Sequence, residues 1–292
     1  MGVEGRDGLA GGTALPRLSV VESTGSTNDD VMALGRSGAP HGSCVASHEQ
    51  TAGRGRRGHV WGSPSTGLYL SVLLRPDVPM SHYMGLSAVC GLGVLDALWS
   101  LGATKAALKW PNDVVVPEEG ADGTPLPSGR SRKLCGLLME AGTGDAGMFA
   151  VAGIGVNLVA PHLEGNLGSV DPLAPAQLSD AMGVSSDGTT PPSPDFGELA
   201  EAIRSCVVAR CDDWASQVNA GRAVAGPLAP VLDDYFDRLP LLGHDVRVVY
   251  PNGNVMGLGT FVAVDVWGRA TVRLGTGREV VISSEQASIR AL

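Results

Sequence analysis

Apolar residues recur along this chain in two patterns, short runs of strand length and longer segments at helical spacing. Strands and helices alternate in the first 240 residues, which predicts a mixed α+β core. Ser26 and Thr27 stand at a predicted strand-to-helix turn. The predicted strands are residues 18–21, 43–47, 68–74, 108–116, 134–140 and 149–158, and the predicted helices are residues 28–35, 84–101, 196–218 and 228–238.

The C-terminal segment has a different pattern. Residues 244–292 form short alternating stretches interrupted by PNGN, WG and GTG, which predicts a small antiparallel β domain closed by hairpin turns. We therefore expect a flexible leader over residues 1–17, a large domain over 18–239 and a compact SH3-like barrel over 240–292. Residues 117–132 are expected to be a solvated insertion, and the role of the loop-rich residues 159–195 stays open.

Composition narrows the class of protein. Apolar residues make up 43% of the 292, and the net charge of −9 argues against general attraction to nucleic acid or an anionic membrane. Five cysteines without a CxxC pair argue against a disulfide framework or a zinc site. No signal peptide is evident, and no apolar run approaches the roughly 20 residues that span a bilayer. The expectation is a soluble, cytoplasmic protein with no membrane partner.

Residues 49–61, EQTAGRGRRGHVW, concentrate positive charge in an acidic chain. Glycine lets backbone N–H groups approach an anion closely, and arginine supplies forked donors that stay protonated. The segment therefore predicts a loop built around a phosphate or carboxylate. For an isolated GRGRRG segment, a nucleic-acid contact or a merely solvated basic loop is the favoured interpretation.

Two later segments add polar groups to apolar strands. KWPND places Lys109, Asn112 and Asp113 around a Trp-Pro break, which favours a site over an ordinary turn. Lys133 opens the apolar strand KLCGLLME, where an ammonium group could neutralise negative charge that develops in phosphoryl or adenylyl transfer. The alternative for Lys133 is a surface lysine that packs its stem on the strand.

Five motifs in series resemble the biotin–protein ligase family: STND, QTAGRGRRG with a following Trp, KWPND, KxxGxLxE and GIGVN. The resemblance runs from about residue 18 to residue 292. It implies a mixed sheet flanked by helices, related to the class II aminoacyl-tRNA synthetase core, followed by a small SH3-like barrel. Longer members carry an N-terminal DNA-binding domain, which is not expected in the 17 residues before the first predicted strand.

The resemblance also implies a reaction. Biotin is activated with ATP and Mg²⁺ to biotinyl-5′-AMP, pyrophosphate leaves, and biotin passes to a lysine of a biotin carboxyl carrier protein or domain. Lys133, Arg54 and Arg56 are the expected catalytic residues, and Asp113 is the expected metal ligand, with Asn112 and Asn157 as further candidates. The expected binding residues for biotin and ATP are Ser26, Thr27, Asn28, Gln50, Gly53, Arg54, Gly55, Arg56, Arg57, Trp61, Lys109, Asn112, Asp113, Lys133, Gly136 and Asn157.

One position departs from the family pattern, since His59 stands where an arginine is common, and its contribution to ligand binding is in doubt. Two other functions compete. A lipoate–protein ligase would share the fold and the adenylate chemistry, although GRGRRG, KWPND and the C-terminal β domain favour biotin. A non-enzymatic RNA-binding protein would use the arginine loop, but the net charge and the lack of interleaved aromatic residues oppose it.

Overall fold

A computed structural model of the chain describes residues 14–58, 61, 65–120, 124, 126, 129–161, 173–184 and 188–292. Two sheets organise these residues, one of seven strands in the order β1-β2-β3-β7-β6-β5-β4 and one of five in the order β11-β10-β9-β8-β12. The first sheet is mixed, because β1 and β2 are parallel whereas its other neighbours are antiparallel.

The strands of the first sheet are β1 Ser19–Thr24, β2 Cys44–Gln50, β3 Gly67–Leu74, β4 Ala107–Lys109, β5 Asp113–Pro117, β6 Ser131–Gly144 and β7 Gly147–Asn157. Those of the second are β8 Asp245–Val249, β9 Val255–Val264, β10 Ala270–Leu274, β11 Glu279–Ile282 and β12 Ser288–Ala291. The α-helices are α1 Thr27–Arg36, α2 Leu86–Ser100, α3 Leu178–Ala181, α4 Phe196–Asn219 and α5 Leu232–Phe236.

The central strand β3 is buried along its whole length, because helices cover both faces of the sheet. Leu70 and Val72 face the main core, formed with α2 and α4, while Leu73 packs with Val31 of α1 on the other face. The predicted mixed sheet flanked by helices and followed by a second β unit is confirmed. The domain boundary at residue 240 stays a prediction.

The expectation that no apolar segment approaches the length needed to span a bilayer was too strict. Met80–Ser100, a short 3-10 helix followed by α2, covers 21 residues, and its most apolar 18-residue window has a mean hydropathy of 1.3, which by length and composition is enough to cross a membrane. Two-thirds of its most apolar window is buried, and Gly93 lies so close to Val207 of α4 that an added Cβ would stand 2.7 Å from the Val207 Cα. These contacts are those of a core helix in a globular protein.

Two predicted elements were wrong in detail. Residues 108–116 form a hairpin of β4 and β5, with the chain reversing at the cis Trp110–Pro111 bond, because proline has no N–H to continue a strand ladder. Residues 228–238 form a short 3-10 helix, Ala229–Val231, before α5. By contrast, α4 matches its predicted range to within one residue, and Asp195 caps it by accepting a hydrogen bond from the Glu198 N–H.

The two sheets are joined by direct contacts. Trp110 Nε1 donates to the Gly268 carbonyl at 2.9 Å, and Phe261 of β9 belongs to the same contiguous core as α2. Residues 14–17 of the expected leader are partly packed, since Arg204 donates to the Pro16 carbonyl and Leu15 lies against the core.

Candidate active site

A buried polar cluster lies where β1 ends and α1 begins. The Thr27 N–H and Oγ1 both donate to Gln50 Oε1, at 2.9 and 3.1 Å. Ser71 Oγ of β3 donates to Asn28 Oδ1 at 2.6 Å, and Asn28 Nδ2 donates to Glu140 Oε2 at 2.6 Å. Both ends of the Asn28 amide are therefore fixed, which orients the cluster for a ligand with donors and acceptors of its own.

Ser26 occupies the N-cap position of α1 with extended backbone dihedrals, φ −161° and ψ 123°. Its side chain makes no capping hydrogen bond, although the residue is buried at 4% exposure. A purely structural capping role, the alternative to ligand binding at this position, thus finds no support in the hydrogen bonding of Ser26.

A pair of glycines forms a flat surface beside this cluster. Gly136 of β6 and Gly155 of β7 are directly opposite each other in the ladder. The Trp61 indole lies against both, so that a Cβ added at either glycine would stand 2.8 Å from an indole atom. Only a residue without a side chain leaves room for a planar ring here.

Lys133 reaches the same face through a β-bulge. In a regular strand, residues three apart point to opposite faces, so Lys133 and Gly136 would be separated by the sheet. The β5–β6 register shifts between Val114 and Val115, and Lys133 is re-aimed to the side of Gly136. Its Nζ then lies 4.7 Å from the centroid of the Trp61 ring.

One buried charge, that of Lys109, and two half-buried charges, those of Asp113 and Lys133, lie around the start of β5. Lys133 Nζ pairs with Asp113 Oδ1 at 2.6 Å, and Lys109, at 3% exposure, donates to the Trp110 carbonyl at 3.3 Å. Burial, followed by the charge of Arg290, lowers the pKa of Lys109 to about 7. Burial works to raise the pKa of Asp113, but Lys133 and Lys109 outweigh it and hold that pKa below its usual value.

The arginine loop, residues 51–58, is held at two points. Near its start, the Arg54 guanidinium makes a two-pronged ion pair with Asp29 of α1, at 2.7 and 2.6 Å. Further along, Arg56 donates to Asn112 Oδ1 at 3.3 Å and to Glu285 Oε1 at 3.2 Å. The loop therefore bridges the first helix, the β4–β5 hairpin and the second sheet.

Arg57 continues that contact with the second sheet. It takes up left-handed dihedrals, φ 57° and ψ 27°, which are uncommon for a residue with a side chain. Its guanidinium donates to the Ser284 carbonyl and, at 3.5 Å, to the Ala287 carbonyl. Burial and the nearby Arg56 lower the pKa of Arg57.

The asparagines of the predicted site tie backbones together. Asn112 Nδ2 donates to the Leu137 carbonyl at 2.5 Å, and Asn157 Nδ2 donates to the carbonyls of Lys133 and Ala176 at 3.1 Å. No group of three His, Cys, Asp or Glu side chains that could hold a metal exists among the described residues.

Contacts bring the predicted residues together in two groups, Thr27, Asn28 and Gln50 at the start of α1, and Trp61, Asp113, Lys133 and Gly136 around the pairing of β5 with β6. Gly53 and Gly55 lie in the arginine loop. Gly53 closes the loop, since its carbonyl accepts the Trp61 N–H at 3.1 Å. His59 lies outside the described residues. No role was predicted from the sequence for Ser71, Asp29, Gly155 or Glu285, although Asp29 and Gly155 stand in the motifs STND and GIGVN. For Ser71, the available signal was a hydroxyl inside the apolar run LYLSVLL.

Comparisons with known proteins show the family of this chain. A model of the biotin/lipoate A/B protein ligase family matches residues 20–157. The chain belongs to this family, because a relative at 35% identity matches 96% of it. That relative is the biotin–[acetyl-CoA-carboxylase] ligase of Mycobacterium tuberculosis, of which 91% is covered.

Two further matches extend the comparison. The biotin–[acetyl-CoA-carboxylase] ligase of Paracoccus denitrificans is 30% identical over 90% of this chain and 96% of its own length. Among solved structures, the biotin protein ligase of Aquifex aeolicus in complex with biotin and ATP matches with a TM-score of 0.67, at 21% identity, over 94% of this chain and 99% of that one. The structural match supports the shared fold.

Proposed function

We propose that this protein is a biotin–protein ligase of the cytoplasm. It activates biotin with ATP to biotinyl-5′-AMP, releases pyrophosphate, and transfers biotin to a lysine of a biotin carboxyl carrier protein or domain of a biotin-dependent carboxylase. The observation that carries this proposal is the placement of Lys133 by the bulge. An ammonium group there lies beside a flat glycine surface and a polar cluster, which is what an acid with a planar polar ring requires.

The polar cluster is assigned to the ureido ring of biotin. That ring offers one carbonyl acceptor and two N–H donors, and short hydroxyl and amide side chains complement both. Ser26, Thr27 and Asn28, which are buried, and Gln50, which is half-buried, supply such groups. The lipoate alternative has no ureido ring to use them, so the cluster favours biotin.

We assign the cationic side chains of the site to the neutralisation of the two reacting anions. The biotin carboxylate and the α-phosphate of ATP repel each other unless cations neutralise both. In this proposal Lys133 contacts the two reacting groups, and Lys109 lies next to Lys133 on the side away from them. The residues that line biotin and the adenylate are Arg54, Gly55, Arg56 and Arg57. Trp61, Gly53 and Gly136 complete the walls, and Asn112, Asp113 and Asn157 lie on the nucleotide side.

Magnesium is proposed to arrive on the ATP phosphates, whose charge it would offset. Mg²⁺ in phosphate sites usually takes one or two protein oxygens and keeps the rest of its ligands from phosphate and water. Asp113 can supply one carboxylate, but it already faces Lys133 at 2.6 Å. The described residues therefore fit a metal held mainly by the nucleotide, with Asp113 as the protein ligand.

Isotope exchange between labelled pyrophosphate and ATP tests the first half-reaction. We expect exchange that depends on biotin and is not supported by lipoate. Exchange with lipoate alone would assign the protein to the other branch of the family. Exchange with neither acid, in protein whose circular dichroism and melting curve show it to be folded, would reject the proposed function.

A further inference from the structure

The first arginine of the loop has different partners from the others. Its NH1 and NH2 groups both bind the Asp29 carboxylate, and its NH2 also lies 3.6 Å from Glu140 Oε2. The same Glu140 oxygen accepts the hydrogen bond from Asn28 Nδ2. A continuous chain of contacts thus runs from Arg54 of the arginine loop through the Glu140 carboxylate to the buried polar cluster.

The charges in this chain are balanced within the protein. The hydrogen bonds that Arg54 donates to Asp29 lower the pKa of Asp29 despite partial burial, and the same hydrogen bonds raise the pKa of Arg54. A guanidinium that already has one carboxylate in two-pronged contact and a second nearby adds little net positive charge for a ligand anion. Arg56 differs, because its partners are an amide oxygen and an exposed carboxylate.

The partial positive charge at the start of α1 does not explain why Asp29 pairs with Arg54. Both Asp29 and Asp30 lie in the first turn of α1, where any carboxylate is favoured by the partial positive charge of the helix start. Asp30 instead accepts a hydrogen bond from Thr24 Oγ1 at 2.8 Å. Only Asp29 is turned toward the loop.

We propose that Asp29 and Glu140 are positioning residues of biotin activation, which seat the start of the arginine loop through Arg54 before the ligand binds. The proposal rests on the proposed function. In this arrangement the Arg54 side chain anchors the loop, and the backbone of Arg54 faces biotin. Lys133 and Arg56 supply the positive charge that neutralises the reacting anions. Loss of the anchor should weaken ligand retention and leave the chemical step from the bound complex intact.

Asp29→Asn tests the anchor, with Asp30→Asn as the matched control that removes a charge from the same helix turn. Because the ion pair is partly exposed, at 40% for Arg54 and 60% for Asp29, we expect a change of about fivefold rather than a complete loss. KM for biotin and the release rate of biotinyl adenylate should each rise by about that factor, whereas kcat stays within about twofold. Asp30→Asn should match the parent protein in all three.

Two further variants separate positioning from general stability. Asp29→Glu keeps the charge and should restore KM, and Glu140→Gln keeps an acceptor for Asn28 while removing the charge near Arg54, so it should show part of the effect. Equal KM and release rates in Asp29→Asn and Asp30→Asn would overturn the proposal, as would a fall in kcat at constant KM.

Limited trypsin digestion of the ligand-free protein gives a readout that does not depend on activity. Cleavage after Arg54 should be faster in Asp29→Asn than in Asp30→Asn, because the anchored side chain is then released to the protease. Equal cleavage rates would reject the anchor. Faster cleavage in a protein without biotin-dependent exchange would keep the anchor and reject the proposed function, so the two failures are distinguishable.

Discussion

The floor of the site and the arginine loop above it are built in different ways. The floor consists of β6 and β7, which are paired at ten successive positions from Cys135–Val156 to Gly144–Gly147. The loop is held by side-chain contacts to α1, to Asn112 and to the second sheet. Backbone ladders fix the floor before any ligand arrives, whereas the loop can exchange its partners for a ligand.

Among the residues of the floor, replacement of Lys133 is expected to cause the largest loss of activity. Lys133→Met removes the ammonium group that the bulge aims at the site, so we expect biotin-dependent pyrophosphate exchange to fall by about 10²- to 10³-fold. Lys105→Met is the matched control, since it breaks an ion pair of similar exposure, Lys105–Glu119 at 2.8 Å, away from the site. A loss below tenfold in Lys133→Met would contradict the role given to this lysine.

The loop should affect retention more than chemistry. Arg56→Gly removes a guanidinium that can exchange Asn112 for the adenylate, and a charged hydrogen bond of about 1.5–3 kcal/mol corresponds to a rise of roughly ten- to hundredfold in adenylate release. Stopped-flow chase with unlabelled adenylate would measure this rate. Arg278→Gly, in the hairpin between β10 and β11, serves as the control, and an unchanged release rate in Arg56→Gly would count against the loop's role.

The same contrast explains what could be predicted from sequence. Helix α4 was predicted to within one residue because its apolar spacing is a local signal. The motif residues were identified by their resemblance to those of a known family, since each motif is a short contiguous segment. The contacts that seat the loop and build the polar cluster are not local: Arg54–Asp29 joins positions 25 apart, Ser71–Asn28 joins positions 43 apart, and Arg56–Glu285 joins positions 229 apart. No periodicity encodes such pairs.

The placement of Lys133 shows a second limit. Residue spacing in KLCGLLME puts the lysine and Gly136 on opposite faces of a regular strand. The β-bulge that reverses this depends on how β5 pairs with β6, and therefore on the tertiary structure. The lysine's importance could be inferred by resemblance, but its direction could not.

The glycine floor gives the next largest expected effect. In Gly155→Ala the new methyl group would stand 2.8 Å from Trp61 Nε1, so the indole must move away from the floor. Overpacking of this kind costs about 1–3 kcal/mol, and we expect biotin affinity to fall by about tenfold. Gly275→Ala, where an added Cβ meets nothing within 4 Å, is the control. Unchanged calorimetric affinity in Gly155→Ala would show that the ligand does not need the flat surface.

Buried Lys109, at the end of β4, makes the stability of the protein sensitive to pH. In the unfolded chain a lysine titrates near pH 10.4, whereas in the folded protein the pKa of Lys109 is about 7. Between these values the unfolded chain holds the extra proton, so the contribution of Lys109 to the free energy of unfolding rises with pH, by at most about 1.4 kcal/mol per pH unit. The cost of burying the ammonium group is fully present below pH 7.

Lys109→Met abolishes that titration. The free energy of unfolding of Lys109→Met should exceed that of the parent protein most at pH 6, and the difference should shrink toward pH 10. Urea unfolding at several pH values measures it. Lys105→Met, whose side chain is 35% exposed, should show no such trend. A difference between Lys109→Met and the parent that is independent of pH would mean that Lys109 keeps its proton when the protein folds.

The smallest effect is expected where the loop meets the second sheet. Glu285 is 76% exposed and meets Arg56 at 3.2 Å, so the pair contributes only about 0.2–1 kcal/mol. Glu285→Gln should therefore change adenylate release by less than about fivefold, and less still at high salt, where exposed pairs are screened. A larger change in adenylate release that does not depend on salt would show that the contact with the second sheet is fixed, as the contacts between β6 and β7 are. Because Arg56 must leave Glu285 to reach a ligand phosphate, weakness at this contact is what an exchangeable loop requires.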